Sequence, residues 1–216
     1  KNWFWLQMDN NFYRQFSHDI LNITGRLESV TSLLDPDDPP DAEDLALARR
    51  LIGQDSQKLN HAIRLFCLTA WLQSSVPHEK SDLDFAALLQ EAVNRYVRDG
   101  ENPVVLELQD DNCAIKTQQD VLRPLLEELL KNAVTHSAAS TAVDVKASWN
   151  ETHTAIEIIN TPLAPMPENA EQPLNARPES PGMGLGLPFA FQAAKQLGAT
   201  LEMVHEEYTI KVKLTL

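Results

Sequence analysis

The amino-acid sequence predicts an α plus α/β protein, in which a helical hairpin forms a dimeric four-helix bundle and an α/β two-layer sandwich follows it. Two long segments near the start repeat apolar residues every three or four positions, as packed helices do. Beyond them, short apolar runs of strand length alternate with further helical patterns. A polar break at residues 73–78 separates the two patterns, so we predict domains at residues 1–76 and 77–216.

The first helix is predicted from about Asn10 to Leu34. Its apolar positions are spaced by three or four residues and form a seam for another helix: Phe12, Phe16, Ile20, Ile23, Leu27, Val30 and Leu34. Prolines and carboxylates at residues 35–41 end this helix in a solvent loop. The second helix begins near Ala42, with acidic residues in its first turn, and continues to about Ala70 on a similar spacing.

Two such helices joined by a short loop predict an antiparallel hairpin. A lone hairpin cannot cover both of its apolar stripes. Association of two copies into a four-helix bundle covers them, and we therefore expect a homodimer.

The second domain is predicted from periodicity alone. Its helices are expected at residues 85–97, 119–135 and 188–197. Its strands are expected at residues 103–108, 113–116, 142–149, 154–159, 200–204 and 209–214. The polar, proline-rich segment from Pro162 to Pro181 has no periodicity and is predicted to be a loop.

Composition and charge exclude several functions. The chain is 43% hydrophobic and 23% charged, as globular proteins are, and carries a net charge of −13 at pH 7. No basic run is present, so nucleic acid is not an expected partner, since phosphate neutralisation needs clustered Lys and Arg. No stretch is apolar enough to span a bilayer. Cys67 and Cys113 fit no metal spacing and are expected to be buried thiols in a cytoplasmic compartment.

The first helix contains a chemically active group. His18 and Asn22 lie four residues apart on one helix face, and Asp19 lies beside them. Imidazole titrates near neutral pH and is a nucleophile when unprotonated. Taken alone, this pattern is also typical of a surface histidine on an amphipathic helix.

A second group lies in the predicted helix at residues 119–135. Glu128 and Asn132 share a face, with Lys131 beside them. A carboxylate and a carboxamide offer the oxygen ligands that Mg²⁺ prefers, and a lysine can reach a phosphate. A solvated helix face would show the same polar pairs, but Asn is a poor helix former to place in mid-helix.

Three of the seven glycines lie at alternate positions, Gly182, Gly184 and Gly186, just before the last predicted helix. Glycines here let backbone amides approach a polyphosphate, and the N-terminus of the following helix adds a favourable potential. A glycine-rich turn required for packing would look the same.

With these three groups in order, nearly the whole chain resembles the catalytic core of a bacterial sensor histidine kinase. Residues Ser17-His18-Asp19-Ile20-Leu21-Asn22 resemble the H-box of its dimerisation and phosphotransfer hairpin. Residues 128–133 resemble the N-box of its GHKL-type ATP-binding domain, and residues 182–187 resemble its second glycine box. The resemblance implies a kinase that uses ATP and Mg²⁺ and transfers phosphate to an aspartate of a response regulator receiver domain.

The resemblance also implies residue roles. His18 would accept the phosphoryl group, and Asp19 would orient or deprotonate its ring. Asn22 would orient a water that dephosphorylates the regulator, so phosphatase activity is a further possibility. The remaining implied contacts are those of the nucleotide: Mg²⁺ at Asn132 and Glu128, phosphate or sugar at Lys131 or His136, the base at Asn160, and the polyphosphate at Gly182, Gly184 and Gly186.

One motif departs from the family. Its members usually carry Asp-x-Gly-x-Gly where this chain has Asn160-Thr161-Pro162-Leu163-Ala164. Asn160 is neutral but can still accept a hydrogen bond from the adenine amino group. Loss of a charge-assisted bond weakens binding by about 1–2 kcal/mol, roughly ten-fold. The alternative is therefore a histidine phosphotransfer or scaffold protein with a vestigial nucleotide-binding domain.

Overall fold

The computed structural model divides the chain into two compact units, one formed mainly by Lys1–Ala70 and the other by Trp71–Gly182 and Gly186–Leu216. The residues that the structure describes are 2–32, 40–74, 79–97, 102–109, 113–150, 153–163, 185–206 and 209–216. Side chains are described in these ranges except at 2–12, 15, 32, 97, 205 and 206. The predicted domain boundary at residues 76 and 77 falls outside the described residues and stays a prediction.

The first unit is an antiparallel helical hairpin. Helix α1 is Asn2–Ser32, and the first-unit part of helix α2 (Ala42–Leu72) returns alongside it. In the middle of α1, Phe16 stacks on Phe66 with ring centroids 4.4 Å apart. Toward its end, Arg26 contacts Asp55. Positions that rise along α1 therefore meet positions that fall along α2, as the loop between them predicted.

The start of α1 was predicted wrongly. The helix begins at Asn2 and not near Asn10. No proline or glycine occurs between Asn2 and Thr24, so nothing in this segment interrupts the helical backbone. By contrast, α2 begins where expected, because the Asp41 carboxylate accepts hydrogen bonds from the backbone amides of Glu43 (2.8 Å) and Asp44 (2.9 Å).

A buried ion pair joins the two helices. Asp55 occupies the buried stripe of α2, seven residues from both Ala48 and Ala62. Arg26 donates to it twice, from Nε to Oδ2 at 3.0 Å and from Nη2 to Oδ1 at 2.8 Å. The hydrogen bond from Arg26 lowers the pKa of Asp55, and the carboxylate in turn raises the pKa of Arg26. A charge therefore fills a heptad position that holds alanine seven residues before and seven residues after it.

The second unit is the predicted α/β two-layer sandwich. Its strands are β1 (Ser81–Asp84), β2 (Val104–Leu108), β3 (Ala114–Thr117), β4 (Val143–Trp149), β5 (Thr154–Asn160), β6 (Thr200–Glu206) and β7 (Thr209–Thr215). Its helices are α3 (Phe85–Val97), α4 (Gln119–Thr135) and α5 (Gly186–Leu197). Strand β1 was missed, because four residues with three polar side chains give no apolar alternation.

The main sheet has the order β2-β4-β5-β7-β6, with β2 parallel to β4 and the other neighbours antiparallel. A separate antiparallel pair joins β1 and β3. Alternate residues of β5 are buried, from Thr154 to Asn160, and helices contact this sheet. Its other face carries cross-strand ion pairs such as Lys146–Glu107 at 2.9 Å. The alternation expected of a sheet with one covered face is thus confirmed.

Two smaller expectations have clear outcomes. Cys113 is buried, but Cys67 on α2 is exposed, so the prediction that both thiols are buried was wrong for Cys67. It lies beside the buried stripe of α2 and not in it. Among the described helices, none combines the length and apolarity needed to cross a membrane.

Candidate functional site

The structure brings the three predicted residues of α1 together. Asp19 Oδ1 lies 3.1 Å from His18 Nδ1. Asn22 Nδ2, one turn further along, lies 3.1 Å from Nδ1 and 3.3 Å from Nε2 of the same ring. The His18 side chain is 66% exposed, whereas that of Asp19 is only 12% exposed. A helix places residues i and i+4 on one face, so the local fold alone builds this cluster.

The carboxylate selects one tautomer of the ring. An ionised Asp19 oxygen can only accept, so Nδ1 must carry the proton when the two atoms are in contact. The neutral ring then has its lone pair on Nε2. The cluster therefore presents an exposed nitrogen nucleophile whose opposite nitrogen is held by a carboxylate.

In the second unit, two adjacent glutamates of α4 have different surroundings. Glu127 Oε1 accepts a hydrogen bond from Arg95 Nη1, and its backbone carbonyl accepts one from the Tyr96 hydroxyl at 3.1 Å. It therefore ties α4 to α3. Glu128 is 5% exposed and points toward the start of α5. The predicted polar face is thus buried and not solvated at Glu128.

Gly186, the first residue of α5, lies against side chains of α4. A Cβ atom added there would lie 2.0 Å from Glu128 Oε1 and 2.9 Å from Asn132 Nδ2. No side chain larger than hydrogen fits without displacing them. The carboxylate and the carboxamide therefore converge beside the first residue of a 12-residue helix. This contact explains the glycine by packing, and its predicted contact with a polyphosphate stays a prediction.

The C-terminal end of α4 is joined to the segment that follows β5. Ala138 N donates to Thr161 O at 2.8 Å, and Leu163 N donates to His136 O at 3.0 Å. Asn160, the last residue of β5, is 4% exposed. Burial lowers the pKa of His136, so its ring is neutral at pH 7. The predicted residues Asn160 and His136 thus lie on two segments that hydrogen bonds hold together.

Two buried amide nitrogens lack partners. Neither Asn132 Nδ2 nor Asn160 Nδ2 has a hydrogen-bond partner among the residues that the structure describes. Buried polar groups are nearly always paired, so such atoms are expected where a ligand binds. Lys131 is half-buried beside them on α4. Gly182 and Gly184, the other two predicted glycines, lie outside the described residues.

These residues fit a metal and a polyphosphate. Rotation of the Asn132 amide by half a turn would present its oxygen in place of nitrogen. With Glu128 it would then offer two hard oxygen ligands, which suits Mg²⁺ when phosphate oxygens and water complete its shell. The first turn of a helix has backbone amides without intrahelical partners and a positive potential, so the N-terminus of α5 suits a phosphate.

Part of the second unit matches a known protein family. Residues 117–216 match the family described as histidine kinase-, DNA gyrase B-, and HSP90-like ATPase. This segment runs from the last residue of β3 to the end of the chain. It includes α4, β5 and α5, which carry Glu128, Lys131, Asn132, Asn160 and Gly186 among the predicted nucleotide residues.

The chain is also similar in sequence to a probable sensor histidine kinase. The chain is 25% identical over 161 residues to the probable sensor histidine kinase TcrY of Mycobacterium tuberculosis, a match that covers 71% of this chain and 33% of that protein. The chain thus spans about a third of the length of this curated relative.

Solved structures share the fold. The histidine kinase AdeS of Acinetobacter baumannii matches with a TM-score of 0.71 at 13% identity, over 92% of this chain and 96% of that one. Histidine kinase ThkA, solved in complex with the response regulator protein TrrA, matches with a TM-score of 0.73 at 14% identity, over 97% of this chain and 60% of that one. These findings confirm the predicted fold class and the resemblance to the catalytic core of a bacterial sensor histidine kinase.

Proposed function

We propose that this chain is an ATP-dependent protein histidine kinase of two-component signal transduction. It binds Mg-ATP in its second unit, phosphorylates His18 and passes the phosphoryl group to an aspartate of a response regulator. The observation that carries the proposal is the exposed His18 ring, held by Asp19 at 3.1 Å, on a chain that also contains an ATPase domain of the histidine kinase-like family.

The tautomer defines the reacting atom. His18 Nε2 forms the new bond to the γ-phosphorus while the bond from that phosphorus to the β–γ bridging oxygen breaks and ADP leaves. The ring becomes more acidic as Nε2 is phosphorylated, and the Asp19 carboxylate beside Nδ1 stabilises or accepts its proton. Mg²⁺, when bound, neutralises charge on the phosphate oxygens.

The nucleotide site supports the same function. Glu128 and Asn132 are proposed to hold Mg²⁺, and Asn160 to contact the base. Lys131 or His136 contacts phosphate or sugar, and Gly182, Gly184 and Gly186 are proposed to surround the polyphosphate. The buried Glu128, with an Asn132 amide nitrogen that has no partner among the described residues close by, supports this site over a vestigial domain.

Labelling with γ-labelled ATP and Mg²⁺ tests this proposal. We expect acid-labile label on the wild-type chain and none on His18→Ala. The matched control is His61→Ala, which removes another histidine from the same hairpin and should keep the label. If wild type takes no label and shows no thermal shift with Mg-ADP, the kinase function is wrong.

The proposed partner is a response regulator receiver domain. The fold relative ThkA was solved in complex with a response regulator protein, which supports a partner of this class. Asn22 is also proposed to orient a water for dephosphorylating the regulator. Asn22→Ala should then slow decay of the regulator's aspartyl phosphate in the presence of this chain, and an unchanged decay rate would remove the phosphatase role.

A homodimer is also proposed. Helix α2 exposes large apolar side chains seven residues apart, Leu45 at 49% and Ile52 at 41%, and Ile63 is 44% exposed. This second stripe lies beside the one that packs on α1, and a second hairpin covers it in a four-helix bundle. Light scattering should give twice the chain mass for wild type and a smaller mass for Ile52→Lys. A wild-type monomer would contradict the dimer. A cytoplasmic location stays a prediction.

A further inference from the structure

Asn160 is the last residue of strand β5, and its side chain ends in a buried amide. The residue is 4% exposed, and its Nδ2 atom has no hydrogen-bond partner among the residues that the structure describes. We propose that this carboxamide lets the nucleotide site bind 6-oxopurine nucleotides, such as those of hypoxanthine, as well as adenine nucleotides. The inference rests on the proposed function, in which Asn160 contacts the base.

The sheet determines the face on which Asn160 lies. Its backbone pairs with Ile210 of β7, and it follows Ile156 and Ile158 on the buried face of β5. A third apolar residue would suit this face, since a buried amide without a hydrogen bond costs free energy. Buried polar groups are nearly always paired. The strand thus holds a polar group where a ligand is expected to complete its hydrogen bonds.

Adenine and 6-oxopurines differ at the atoms that such a group can recognise. Adenine has an amino donor at position 6 and an acceptor at N1, whereas hypoxanthine has a carbonyl acceptor at position 6 and a donor at N1. A carboxylate has acceptors only, so one that faces position 6 pairs with the amino group and opposes the carbonyl. A carboxamide has both a donor and an acceptor, so it can pair with either base.

The orientation of the Asn160 amide suits the carbonyl, and half a turn suits the amino group. The atom without a described partner, Nδ2, is a donor, and its complement on a purine is the O6 carbonyl. Rotation by half a turn puts the Oδ1 acceptor in its place and breaks no described hydrogen bond at Nδ2. Both bases thus receive a neutral hydrogen bond of similar strength, and their affinities should agree within about ten-fold.

Calorimetry with Mg-ADP and with Mg-IDP, the inosine diphosphate complex, tests this on the full chain at one Mg²⁺ concentration. IDP differs from ADP only at position 6 and in the proton on N1, so the phosphate and ribose contacts cancel in the comparison. For wild type we expect the two dissociation constants to agree within about ten-fold. This measurement needs no substitution, so it can overturn the inference even where a variant does not fold.

Asn160→Asp tests whether residue 160 selects the base. A carboxylate opposite the O6 carbonyl leaves two acceptors facing each other, so the affinity for IDP relative to ADP should fall by about ten- to hundred-fold. The matched control is Asn150→Asp, which adds the same charge at an exposed position of the same unit. Asn150 Oδ1 accepts a hydrogen bond from His153 N at 3.0 Å, which an aspartate keeps, so this variant should show the wild-type ratio.

The possible outcomes distinguish this inference from the proposed function. Wild type that binds ADP but binds IDP more than about ten-fold more weakly overturns the inference and leaves the proposed function standing. An equal ratio in wild type and Asn160→Asp also overturns it, because residue 160 then does not select the base. If neither nucleotide binds, the proposed function fails together with the inference.

Discussion

The two side chains of the ion pair between Arg26 and Asp55 are exposed to different extents, and this difference predicts which substitution destabilises the hairpin more. The Asp55 side chain is 5% exposed, but that of Arg26 is 51% exposed. Arg26→Ala leaves a buried carboxylate without its two hydrogen bonds, whereas Asp55→Ala leaves a guanidinium that water can reach. Arg26→Ala should therefore destabilise the hairpin more than Asp55→Ala does.

The magnitude follows from the same numbers. Breaking a fully buried pair costs about 3–5 kcal/mol. Half of Arg26 already faces water, and water can enter the space it vacates, so we expect about 2 kcal/mol for Arg26→Ala and about 1 kcal/mol for Asp55→Ala. At 1.36 kcal/mol per factor of ten, the larger value corresponds to roughly 30-fold faster exchange of protected amides.

Hydrogen exchange of the α1 and α2 backbone amides is the suitable assay, because it reports opening of the hairpin separately from the second unit. Protein concentration must be held fixed, since dimerisation would add to the apparent stability. Arg14→Ala, at an exposed position of the same helix, is the matched control. If Asp55→Ala speeds exchange as much as Arg26→Ala, or if Arg26→Ala behaves like the control, the reasoning is refuted.

The pair also predicts a pH dependence. Arg26 lowers the pKa of Asp55 below its unfolded value, which is near 3.9. A group with a depressed folded pKa stabilises the fold fully above the unfolded value and loses that contribution as pH falls through the folded one. Acidification below about pH 4 should therefore lower the protection factors of these amides, which are corrected for the intrinsic pH dependence of exchange, more in wild type than in Arg26→Ala. A parallel loss in both proteins would assign the acid sensitivity to other groups.

Three further outcomes are expected. Gly186→Ala should lower the Tm and abolish nucleotide binding, because its Cβ would lie 2.0 Å from Glu128 Oε1. The control Gly53→Ala, with nothing within 4 Å of the new Cβ, should stabilise α2 by about 1 kcal/mol. Equal changes in Tm for the two variants would contradict this. Glu127→Gln should lower the Tm and leave the affinity for Mg-ADP unchanged, whereas Glu128→Gln should reduce the Mg²⁺ dependence of ADP binding. Calorimetry with and without Mg²⁺ distinguishes the two variants. The reverse pattern would mean that Glu127, and not Glu128, belongs to the metal site. Asn160→Asp should strengthen ADP binding about ten-fold by restoring a charge-assisted hydrogen bond; unchanged affinity would place residue 160 away from the base.

Helices and strands were predicted well from the sequence where a clear apolar periodicity ended at polar, glycine or proline residues. Helices α3 and α4 have the predicted limits, because apolar periodicity and polar ends agree there. The start of α1 was missed since no residue marks it, and β1 was missed because a short polar strand has no period. Prediction from sequence depends on a regular difference between apolar and polar positions along the chain, and these two segments show little of it.

Contacts between residues that are distant in sequence were harder to predict than the site residues themselves. His18, Asp19 and Asn22 could be placed together because one helix determines their spacing. Arg26 and Asp55 lie on different helices, and neither has a local signal that names the other. Asp55 had one available clue, since it occurs at seven-residue spacing between Ala48 and Ala62, where a charge requires a buried partner.

The adjacent glutamates of α4 show how much chemistry depends on this kind of pairing. Glu127 and Glu128 have the same side chain on the same helix, and both are buried. Arg95 neutralises Glu127, so that carboxylate serves packing between α3 and α4. Glu128 instead faces the start of α5, where the described residues place an amide with no partner, Asn132 Nδ2. A buried carboxylate thus lies beside an amide nitrogen that has no partner among the described residues, close to a helix N-terminus. We propose that Mg-nucleotide, which has the chemistry to complete such a site, binds there.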